Sequence, residues 1–348
     1  MSTQQKTNLA AIIKNPKNQV TVENRPIPTP GPDELLIRNH AIAANPADWK
    51  IQAWTVYVTE YPNVLGSDVS GIIEAVGSSV TKFSVGDRVT GFAAVFYNQN
   101  IDHGAWQTYT LLREVATTNI PDTLSYEEAS TFPMAYATVA TAFYLLLDIP
   151  RTIGKVEPTN EALFVWGGAS AVGAAAIQLA NTLGYKVFTT ASPKHHEYLQ
   201  SLGAFATFDY HDAEVVSRVV RSVKVSAANL TLGLDAITEG DTFILSADIL
   251  SATAGGAGKL ALTLDWPETH AKPNDVEVLK TVAIRLGMDS QDVGAWFFNE
   301  FLKDALEKKY LVASPPIEIV DGGVAAAQKV FDQLKAGVSG KKLVVQVK

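Results

Sequence analysis

A glycine-rich turn is the segment whose residue types and spacing point most directly to chemistry. Val165-Trp166-Gly167-Gly168-Ala169-Ser170-Ala171-Val172-Gly173 follows an apolar strand pattern and opens a helical one, which is the context of a dinucleotide-binding turn. Unpaired N–H groups and the positive end of the helix dipole bind a pyrophosphate there. Gly168 is predicted to make the tight turn, and Gly173 to let the helix pack closely. Because Ser170 replaces the middle glycine of G-x-G-x-x-G, the turn alone also fits a plain strand–helix connection.

The segment after the next predicted strand indicates which dinucleotide binds. An NAD site carries an acidic residue about 20 residues after the turn, against the ribose 2′-hydroxyl. Here the segment reads Ser192-Pro193-Lys194-His195, without a carboxylate. Ser192 can donate a hydrogen bond and Lys194 can neutralise charge, so the segment favours a 2′-phosphate and NADPH. The alternative is a solvent-facing helix start, with Ser192 as N-cap and Lys194 merely exposed.

The elements that position these residues alternate between strand and helix patterns from residue 162 onward. This order predicts a parallel sheet with helices on both faces, a doubly wound Rossmann arrangement. The strand patterns are apolar throughout, as expected when both faces of a sheet are covered. The predicted strands span residues 163–166, 186–190, 206–208, 230–237 and 259–264, and the predicted helices span 171–183, 194–202 and 212–223.

The first third of the chain consists of short apolar runs between glycine- and proline-rich turns. These gaps leave no room for helical crossovers, so an antiparallel, barrel-like module is the simpler prediction. Ser125 to Glu128 is typical of a helix start with a capping box, and an apolar helical pattern continues to about Leu147. The runs span residues 35–37, 71–76, 88–92 and 106–111, and the C-terminal part adds predicted helices over 296–308 and 325–334 and strands over 317–320 and 342–347.

Composition limits the classes of function. The 348 residues are 47% hydrophobic and 18% charged, which suits a well-buried protein of two domains. The net charge of −8 lacks the positive excess of a nucleic-acid binder and argues against an anionic membrane surface as partner. No long apolar run predicts a transmembrane helix, and the polar start Met1–Thr7 predicts no signal peptide. The absence of cysteine excludes thiolate chemistry and favours a cytoplasmic protein.

Short motifs occur in a fixed order over nearly the full length of the chain. Together with the glycine-rich turn, the ordered set resembles the medium-chain dehydrogenase/reductase superfamily, in its quinone-reductase and enoyl-reductase branches. The resemblance implies an α/β fold, with a GroES-like β-barrel catalytic domain over 1–125 plus 300–348 and an inserted Rossmann NADPH-binding domain over 126–299. The motifs are Ala44–Asp48, Leu65–Gly71, Val76-Gly77, Val85–Val89, Gly104–Trp106, Ile120-Pro121 and Ser339–Val344.

Five segments resemble more closely the fungal branch that contains trans-acting enoyl reductases of polyketide assembly. They are Asn45–Lys50, Trp166–Gly168, Ala191–Pro193, Phe208–Tyr210 and Ser339-Gly340. The resemblance implies that the adenosine phosphate is surrounded by Ser192, Lys194 and Tyr210, and that the nicotinamide half is lined by Thr263, Leu264, Ser339 and Gly340. Ala47, Asp48, Pro193 and His195 complete the cofactor residues that we predict. For Tyr210, a packed aromatic at a strand end is the alternative.

The residues that hold zinc in the metal-dependent branch are replaced in this chain. That branch has a Cys ligand near position 46 and a Gly-His-Glu segment near position 66, where this chain has Pro46 and Gly66-Ser67-Asp68. The four-cysteine structural lobe is also missing, and the six histidines show no ligand spacing. We therefore expect no catalytic metal.

Two hydrogen-bond donors are the candidate catalytic residues. Lys50 and Thr138 match positions that face the cleft in the enoyl-reductase branch. The alternative for Lys50 is a solvated surface charge, and for Thr138 a helix hydroxyl bonded to its own backbone. Asp48 would brace its loop through backbone N–H groups or make an Asx-turn. The aromatic residues Trp296–Phe298 would wall a pocket, support a subunit contact or pack in the core.

The expected activity is hydride transfer from a nicotinamide to the β-carbon of an α,β-unsaturated carbonyl compound, with a proton to the α-carbon. One interpretation is a free-standing NADPH reductase of small enones or quinones. A second is a trans-acting enoyl reductase that docks on an acyl carrier or polyketide synthase. A third is a non-catalytic NADPH-binding sensor or structural protein. The sequence leaves the substrate and the oligomeric state undecided.

Overall fold

The computed structural model describes residues 7–347, so nearly all of the polar start Met1–Thr7 lies outside the described part. The chain divides into two units. Over the described residues, the first unit comprises 7–137, Ile284–Glu307 and 316–347, and the second comprises Thr138–Ala283 and Lys308–Pro315. The assignment of a catalytic domain to 1–125 plus 300–348 and of a cofactor domain to 126–299 stays a prediction.

Strands occur in both units. In chain order they are β1 (Asn8–Ile13), β2 (Thr21–Arg25), β3 (Glu34–Ala43), β4 (Asn63–Val64), β5 (Asp68–Val76), β6 (Arg88–Phe92), β7 (Tyr109–Arg113), β8 (Thr117–Asn119), β9 (Glu161–Trp166), β10 (Lys186–Thr190), β11 (Ala204–Phe208), β12 (Asn229–Asp235), β13 (Gly258–Leu262), β14 (Val276–Lys280), β15 (Ile317–Ile319) and β16 (Lys342–Gln346).

The helices connect these strands or pack beside them. In chain order they are α1 (Pro46–Trp54), α2 (Tyr126–Ala129), α3 (Pro133–Thr141), α4 (Ala171–Thr182), α5 (His196–Ser201), α6 (Val215–Val225), α7 (Thr242–Thr253), α8 (Gln291–Ala295), α9 (Lys303–Glu307) and α10 (Ala327–Ala336). Two segments are π-helical, Ala142–Leu146 directly after α3 and Trp296–Leu302 between α8 and α9.

The main sheet of the first unit is organised around β3. This strand pairs antiparallel with β5, β7 and β16, so segments from both halves of the chain meet at it. A smaller sheet has the order β2-β1-β4. Trp106 is fully buried in the core of this unit and packs edge-on against Phe331 of α10, with ring centres 5.4 Å apart. The predicted, mainly antiparallel module in the first third of the chain is confirmed.

The sheet of the second unit is parallel and has the order β11-β10-β9-β12-β13-β14. The chain moves outward from β9 to β11, returns to β12 beside β9 and then moves outward in the other direction. Right-handed crossovers therefore place helices on both faces of the sheet, and the central strand residues Leu163–Val165 are fully buried. The predicted doubly wound parallel sheet is confirmed.

Several element boundaries differ from the predicted ones. β13 ends at Leu262, so Thr263 and Leu264 lie directly after the strand and not within it. A short 3₁₀ turn at Pro193–His195 precedes α5. The apolar helical pattern that begins at Ser125 is interrupted after α2 and resumes at Pro133, because proline lacks the N–H of a helix interior but suits a first helical position.

Two further expectations concern apolar segments. No helix within residues 7–347 is long and apolar enough to cross a bilayer. Phe297 and Phe298 are fully buried, and Phe297 stacks on Tyr136 and Phe301 at 6.5 and 5.4 Å between ring centres. Of the three alternatives for these two phenylalanines, core packing within the first unit describes the structure.

Candidate active site

The glycine-rich turn of the second unit joins the end of β9 to the start of α4. Gly167 has a left-handed backbone with a φ of 78°, and Gly168 is a central residue of the turn that the Ser170 N–H closes on the Gly167 carbonyl at 3.0 Å. Gly168 packs where a Cβ would overlap the hydroxyl of Thr189. Gly173 packs where a Cβ would overlap the carbonyl oxygen of Gly167. The close packing expected of Gly173 is therefore a contact between the first turn of α4 and the Gly167 carbonyl.

The first turn of α4 leaves backbone donors for a ligand. Ser170 is the N-cap, and its hydroxyl accepts a hydrogen bond from the Gly173 N–H at 3.0 Å. The Ala174 N–H donates to the Ser170 carbonyl. Within residues 7–347, no partner is found for the N–H groups of Ala171 and Val172. Two donors at the positive end of a helix of 12 residues fit the pyrophosphate of a dinucleotide.

The segment after β10 brings hydroxyl groups together. The Ser192 side chain makes no cap hydrogen bond to the 3₁₀ turn that follows, which argues against the alternative of a plain N-cap. Its hydroxyl lies 3.5 Å from the Tyr210 hydroxyl. The Tyr210 side chain is 43% exposed, which argues against the alternative of a packed aromatic. The Lys194 side chain is exposed at the same strand end.

Two histidines, His195 and His211, lie close to charged groups near this segment. Partial burial lowers the pKa of His195, and the neighbouring Lys194 and His196 lower it further. A lowered pKa favours the neutral form of the His195 ring at pH 7. Hydrogen bonds from the backbone and side chain of His211 lower the pKa of Asp209; the ring nitrogen lies 2.8 Å from the carboxylate.

Thr263 and Leu264 follow β13 at the same edge of the parallel sheet. The Thr263 N–H donates to the Thr238 hydroxyl at 3.1 Å, and the Thr263 hydroxyl donates to the Asp235 carbonyl at 3.3 Å. The Asp235 carboxylate in turn accepts the N–H groups of Ile237 and Thr238, each at 2.9 Å. Burial raises the pKa of Asp235. The loop after β12 thus fixes Thr263.

Asp48 lies in the first turn of α1, next to Ala47 and two residues before Lys50. Its Oδ2 accepts hydrogen bonds from the Asn45 N–H at 3.1 Å and from the Trp106 indole N–H at 3.2 Å, so it braces the backbone as expected. Its Oδ1 is buried without a partner within residues 7–347. Burial raises the pKa of Asp48 to about 7 against these two hydrogen bonds, and the carboxyl group is therefore partly protonated at neutral pH.

Lys50 lies between two indole rings. Its Nζ is 5.3 Å from the ring centre of Trp54 and 5.9 Å from that of Trp49, within the range of cation–π interactions. The two rings meet edge to face at 5.6 Å, and Trp54 is 47% exposed. The ammonium group thus sits at a half-open aromatic surface, which differs from the alternative of a fully solvated charge.

Thr138 and the pair Ser339-Gly340 complete the predicted residues. Thr138 is the sixth residue of α3 and only 7% exposed. The π-helical segment Ala142–Leu146 follows on the same helix, and such segments are frequent at functional sites. Ser339 and Gly340 lie between α10 and β16, where Gly340 has a left-handed backbone with a φ of 63°.

The start of α1 also holds a buried polar cluster that the sequence does not identify. The Lys342 ammonium donates to Asn45 Oδ1 at 2.6 Å and to Asp68 Oδ2 at 2.9 Å, and Asn45 Nδ2 donates to Asp68 Oδ2 at 2.8 Å. The side chains of Lys342 and Asp68 are 3% and 0% exposed. Lys342 follows another lysine and opens a strand, a context in which lysine is ordinarily solvated.

The structure therefore places most of the predicted residues in two groups. Thr138, in the second unit, and Ser339 and Gly340, in the first, lie outside both. In the second unit, the glycine-rich turn, Ser192–His195, Tyr210 and Thr263-Leu264 lie at the carboxyl ends of β9, β10, β11 and β13, where open α/β sheets bind ligands. In the first unit, Ala47, Asp48 and Lys50 share α1. Within residues 7–347, no cluster of three His, Cys, Asp or Glu side chains has the spacing of a metal site.

Two open depressions lie apart from these groups. One, of about 290 Å³, lies beside β15 and β16 in the first unit. The other lies beside Gly258 and Val276, the first residues of β13 and β14. This is the opposite end of the parallel sheet from the glycine-rich turn. Neither depression contains a predicted site residue.

Comparison with known proteins places this geometry in a family. Residues 31–122 match the alcohol dehydrogenase GroES-like domain. The trans-enoyl reductase tndF of Aspergillus flavipes is 36% identical over 341 residues, which cover 97% of this chain and 98% of that protein. The crystal structure of the CurK enoyl reductase has a TM-score of 0.77 at 20% identity, covering 99% and 100% of the two chains. The quinone oxidoreductase of Coxiella burnetii has a TM-score of 0.71 at 23% identity, covering 98% and 100%.

The fold and these similarities define an oxidoreductase of the medium-chain dehydrogenase/reductase superfamily, a fold that implies a nicotinamide cofactor. Within the superfamily, the chain belongs to the family of the fungal trans-enoyl reductases. The predicted resemblance is confirmed, and so is a GroES-like module combined with a Rossmann sheet.

Replacing Gly173 should damage cofactor binding. The Cβ of Gly173→Ala would overlap the Gly167 carbonyl, so α4 must move away from the turn. We expect the affinity for a nicotinamide dinucleotide to fall by roughly tenfold or more, which is about 1.4 kcal/mol, as measured by fluorescence titration. Gly233→Ala in β12 is the control, because its Cβ meets only ends of leucine side chains at 3.0 and 3.1 Å. Equal losses in the two variants would contradict the role of Gly173.

Asp48 should make stability depend on pH. Its pKa rises from 3.8 in the unfolded chain to about 7 in the folded one, so its contribution is complete below pH 4 and is lost as the pH rises to 7. The slope is at most ~1.4 kcal/mol per pH unit. Because Asp48→Asn cannot titrate, we expect its unfolding free energy relative to the wild type to increase from pH 4.5 to 7 and then level off. Denaturant unfolding curves measure this, and a constant difference would exclude it.

Proposed function

We propose that this protein is an NADPH-dependent reductase that reduces an activated carbon–carbon double bond without zinc. The observation that carries the proposal is the edge of the parallel sheet in the second unit. There, the N–H groups of Ala171 and Val172 have no partner within residues 7–347, and Ser192 and Lys194 follow β10 in a segment, 189–195, without a carboxylate. Tyr210 follows β11 directly after Asp209, and its hydroxyl lies 3.5 Å from that of Ser192. This combination suits a dinucleotide with a phosphate on its adenosine ribose. The names of the enoyl-reductase relatives support the reaction class.

The proposed cofactor residues divide by the part of the dinucleotide that they bind. The turn Gly168–Gly173 binds the pyrophosphate through backbone N–H groups. The 2′-phosphate is bound by Ser192, Pro193, Lys194, His195 and Tyr210, with Lys194 supplying the positive charge. The nicotinamide half is bound by Ala47, Asp48, Thr263, Leu264, Ser339 and Gly340. NADPH, when bound, supplies the hydride for the reaction.

Lys50 and Thr138 are the proposed donors to the substrate carbonyl. Reduction of an α,β-unsaturated carbonyl compound places negative charge on the carbonyl oxygen, which a positioned donor stabilises. The indoles of Trp49 and Trp54 restrict the ammonium of Lys50, so less of its freedom remains to be lost on binding. We propose that this stabilisation takes the place of a zinc ion, since Pro46 and Ser67 stand where the metal-dependent branch has ligands.

An enoyl thioester is the proposed substrate, delivered by an acyl carrier of a polyketide synthase. Support comes from relatives named trans-enoyl reductase in three Aspergillus species. One of these proteins, tndF, is similar to this chain over 97% of its length. The direct test is NADPH oxidation with an enoyl thioester, a 2-alkenal and a quinone, followed by product analysis. A saturated thioester supports the proposal, and an alcohol product or oxidation with quinones alone contradicts it.

Two substitutions at the proposed phosphate site should change cofactor preference. Ser192→Ala and Lys194→Ala remove groups that serve only the 2′-phosphate, so each should lower NADPH affinity by roughly tenfold and leave NADH affinity unchanged. Dissociation constants for both dinucleotides measure this. Lys224→Ala on α6 is the control, since it removes one exposed charge from the same unit. Equal affinity of the wild type for NADH and NADPH would contradict the assignment.

Loss of either proposed carbonyl donor should slow reduction. Lys50→Ala and Thr138→Ala should each lower kcat/KM by roughly 10²-fold, as expected for one donor to a developing oxyanion. Lys186→Ala is a matched control for the lysine, because Lys186 also lies over an aromatic ring, at 5.6 Å from the centre of Phe205. Thr253→Ala controls for the threonine, as a helix hydroxyl bonded to the Ile249 carbonyl at 2.9 Å. Unchanged values for both test variants would remove them from the mechanism.

A further inference from the structure

The most deeply buried ion pair within residues 7–347 joins segments far apart in the chain. Lys342 is 274 residues from Asp68 and 297 residues from Asn45 along the sequence. Its ammonium has both as partners, at 2.9 and 2.6 Å. Asn45 closes the triangle through Nδ2, which donates to Asp68 Oδ2 at 2.8 Å. The three side chains are 4% exposed or less.

Each member of this triangle lies at the start or just before the start of an element. Asn45 directly precedes α1, Asp68 is the first residue of β5, and Lys342 is the first residue of β16. Asp68 also reaches a fourth element, because its Oδ1 accepts the Met134 N–H at the start of α3 at 2.6 Å. One carboxylate therefore holds the beginnings of both α1 and α3 through hydrogen bonds.

Stability alone does not account for such a cluster. Removing a lysine and an aspartate from water carries a desolvation cost that their attraction in the interior only partly offsets, and apolar replacements of similar volume are often as stable. Buried, hydrogen-bonded polar clusters do restrict geometry, since each group has few directions in which it is satisfied. What this cluster restricts is the position of the first turns of α1 and α3.

Those two helices carry the proposed carbonyl donors. Lys50 is the fifth residue of α1, and Thr138 is the sixth residue of α3. The α1 start is held a second time by Asp48, whose carboxylate accepts the Asn45 N–H. A shift at Asn45 or at Met134 is transmitted along each helix to the donor, because helical hydrogen bonds keep successive turns in register.

We propose that Lys342, Asp68 and Asn45 are positioning residues, which aim Lys50 and Thr138 by fixing the starts of their helices. The proposal rests on the proposed function, since it names what orients the donors of that same site. None of the three needs to touch substrate. Their effect is expected to be larger in the rate of hydride transfer than in the affinity for NADPH, because the proposed pyrophosphate and 2′-phosphate contacts belong to the second unit and the first unit supplies proposed contacts to the nicotinamide half alone.

The main test is the double variant Asp68→Asn/Lys342→Met, which removes both charges together and leaves no unpaired buried ion. The amide of Asn at position 68 can still accept the Met134 N–H. We expect kcat with the enoyl thioester to fall at least 30-fold, and the affinity for NADPH to change by a smaller factor. The kinetic isotope effect on kcat with 4-deuterated NADPH should rise, because displaced donors slow the hydride step relative to the other steps. A purely structural role would leave the hydride step of folded molecules, and hence the isotope effect, unchanged.

Glu34→Gln is the matched control. Glu34 forms another buried contact between titratable side chains of the first unit, with His103 Nε2 at 2.7 Å, and the side chains are 14% and 2% exposed. This pair has no hydrogen bond to α1 or α3. The control should lower the melting temperature and leave kcat and the isotope effect unchanged. A folded double variant whose kcat lies within twofold of the wild type overturns the positioning role.

Asn45→Ala distinguishes the effect of the cluster on α1 from its effect on α3. This single variant replaces the double variant as the test if the double variant does not fold. It keeps the ion pair but breaks its connection to α1. Hydrogen exchange should quicken in peptides covering 45–54 and stay unchanged in those covering 133–141, and kcat should fall at least tenfold. Unchanged exchange at 45–54 contradicts the proposal. A wild type that reduces no enoyl thioester would overturn the proposed function. Hydrogen exchange does not depend on turnover, so it would still test whether the cluster positions α1.

Discussion

A carboxylate buried at the start of β5 is the contact on which the first unit depends. Asp68 satisfies the ammonium of Lys342, the amide of Asn45 and the Met134 N–H at once. Removing one partner of a buried ion pair costs ~3–5 kcal/mol, because the other charge is left without compensation. The cluster therefore joins β5, β16, α1 and α3 into an arrangement with few alternatives.

In the second unit, the ligand site is formed mainly by backbone geometry, whereas side-chain charges organise the cluster of the first unit. The left-handed Gly167 and the closely packed Gly173 bring the first turn of α4 against the end of β9. The N–H groups of Ala171 and Val172 are the first of this helix, so they have no helical carbonyl to bind and stay without a partner within residues 7–347. Side chains enter at the ends of the next two strands, β10 and β11, where Ser192, Lys194 and Tyr210 are proposed to discriminate between dinucleotides.

Most of the fold was predictable because local patterns and tertiary structure agree. Strands buried on both faces are apolar throughout, and the β9–α4–β10 order and the Ser125–Glu128 capping box are short-range features. The left-handed backbone of Gly167 was not predicted, because two adjacent glycines both permit it. α1 was not predicted as a helix, since its start depends on Asn45 contacts with residues far along the chain. The buried cluster around Lys342 was not predicted for the same reason, because no sequence pattern distinguishes a buried lysine from a solvated one.

The pairing of β16 with β3 has a consequence for synthesis on the ribosome. Residues Ala41–Ala43 pair with Val344–Gln346, so that edge of β3 and the carboxylate of Asp68 lack their partners until some 300 further residues have been made. The second unit lies almost wholly within 138–283 and emerges earlier. A nascent chain of this protein therefore carries an open strand edge and an uncompensated interior charge for most of its elongation, which is the period when chaperones that cover such surfaces act.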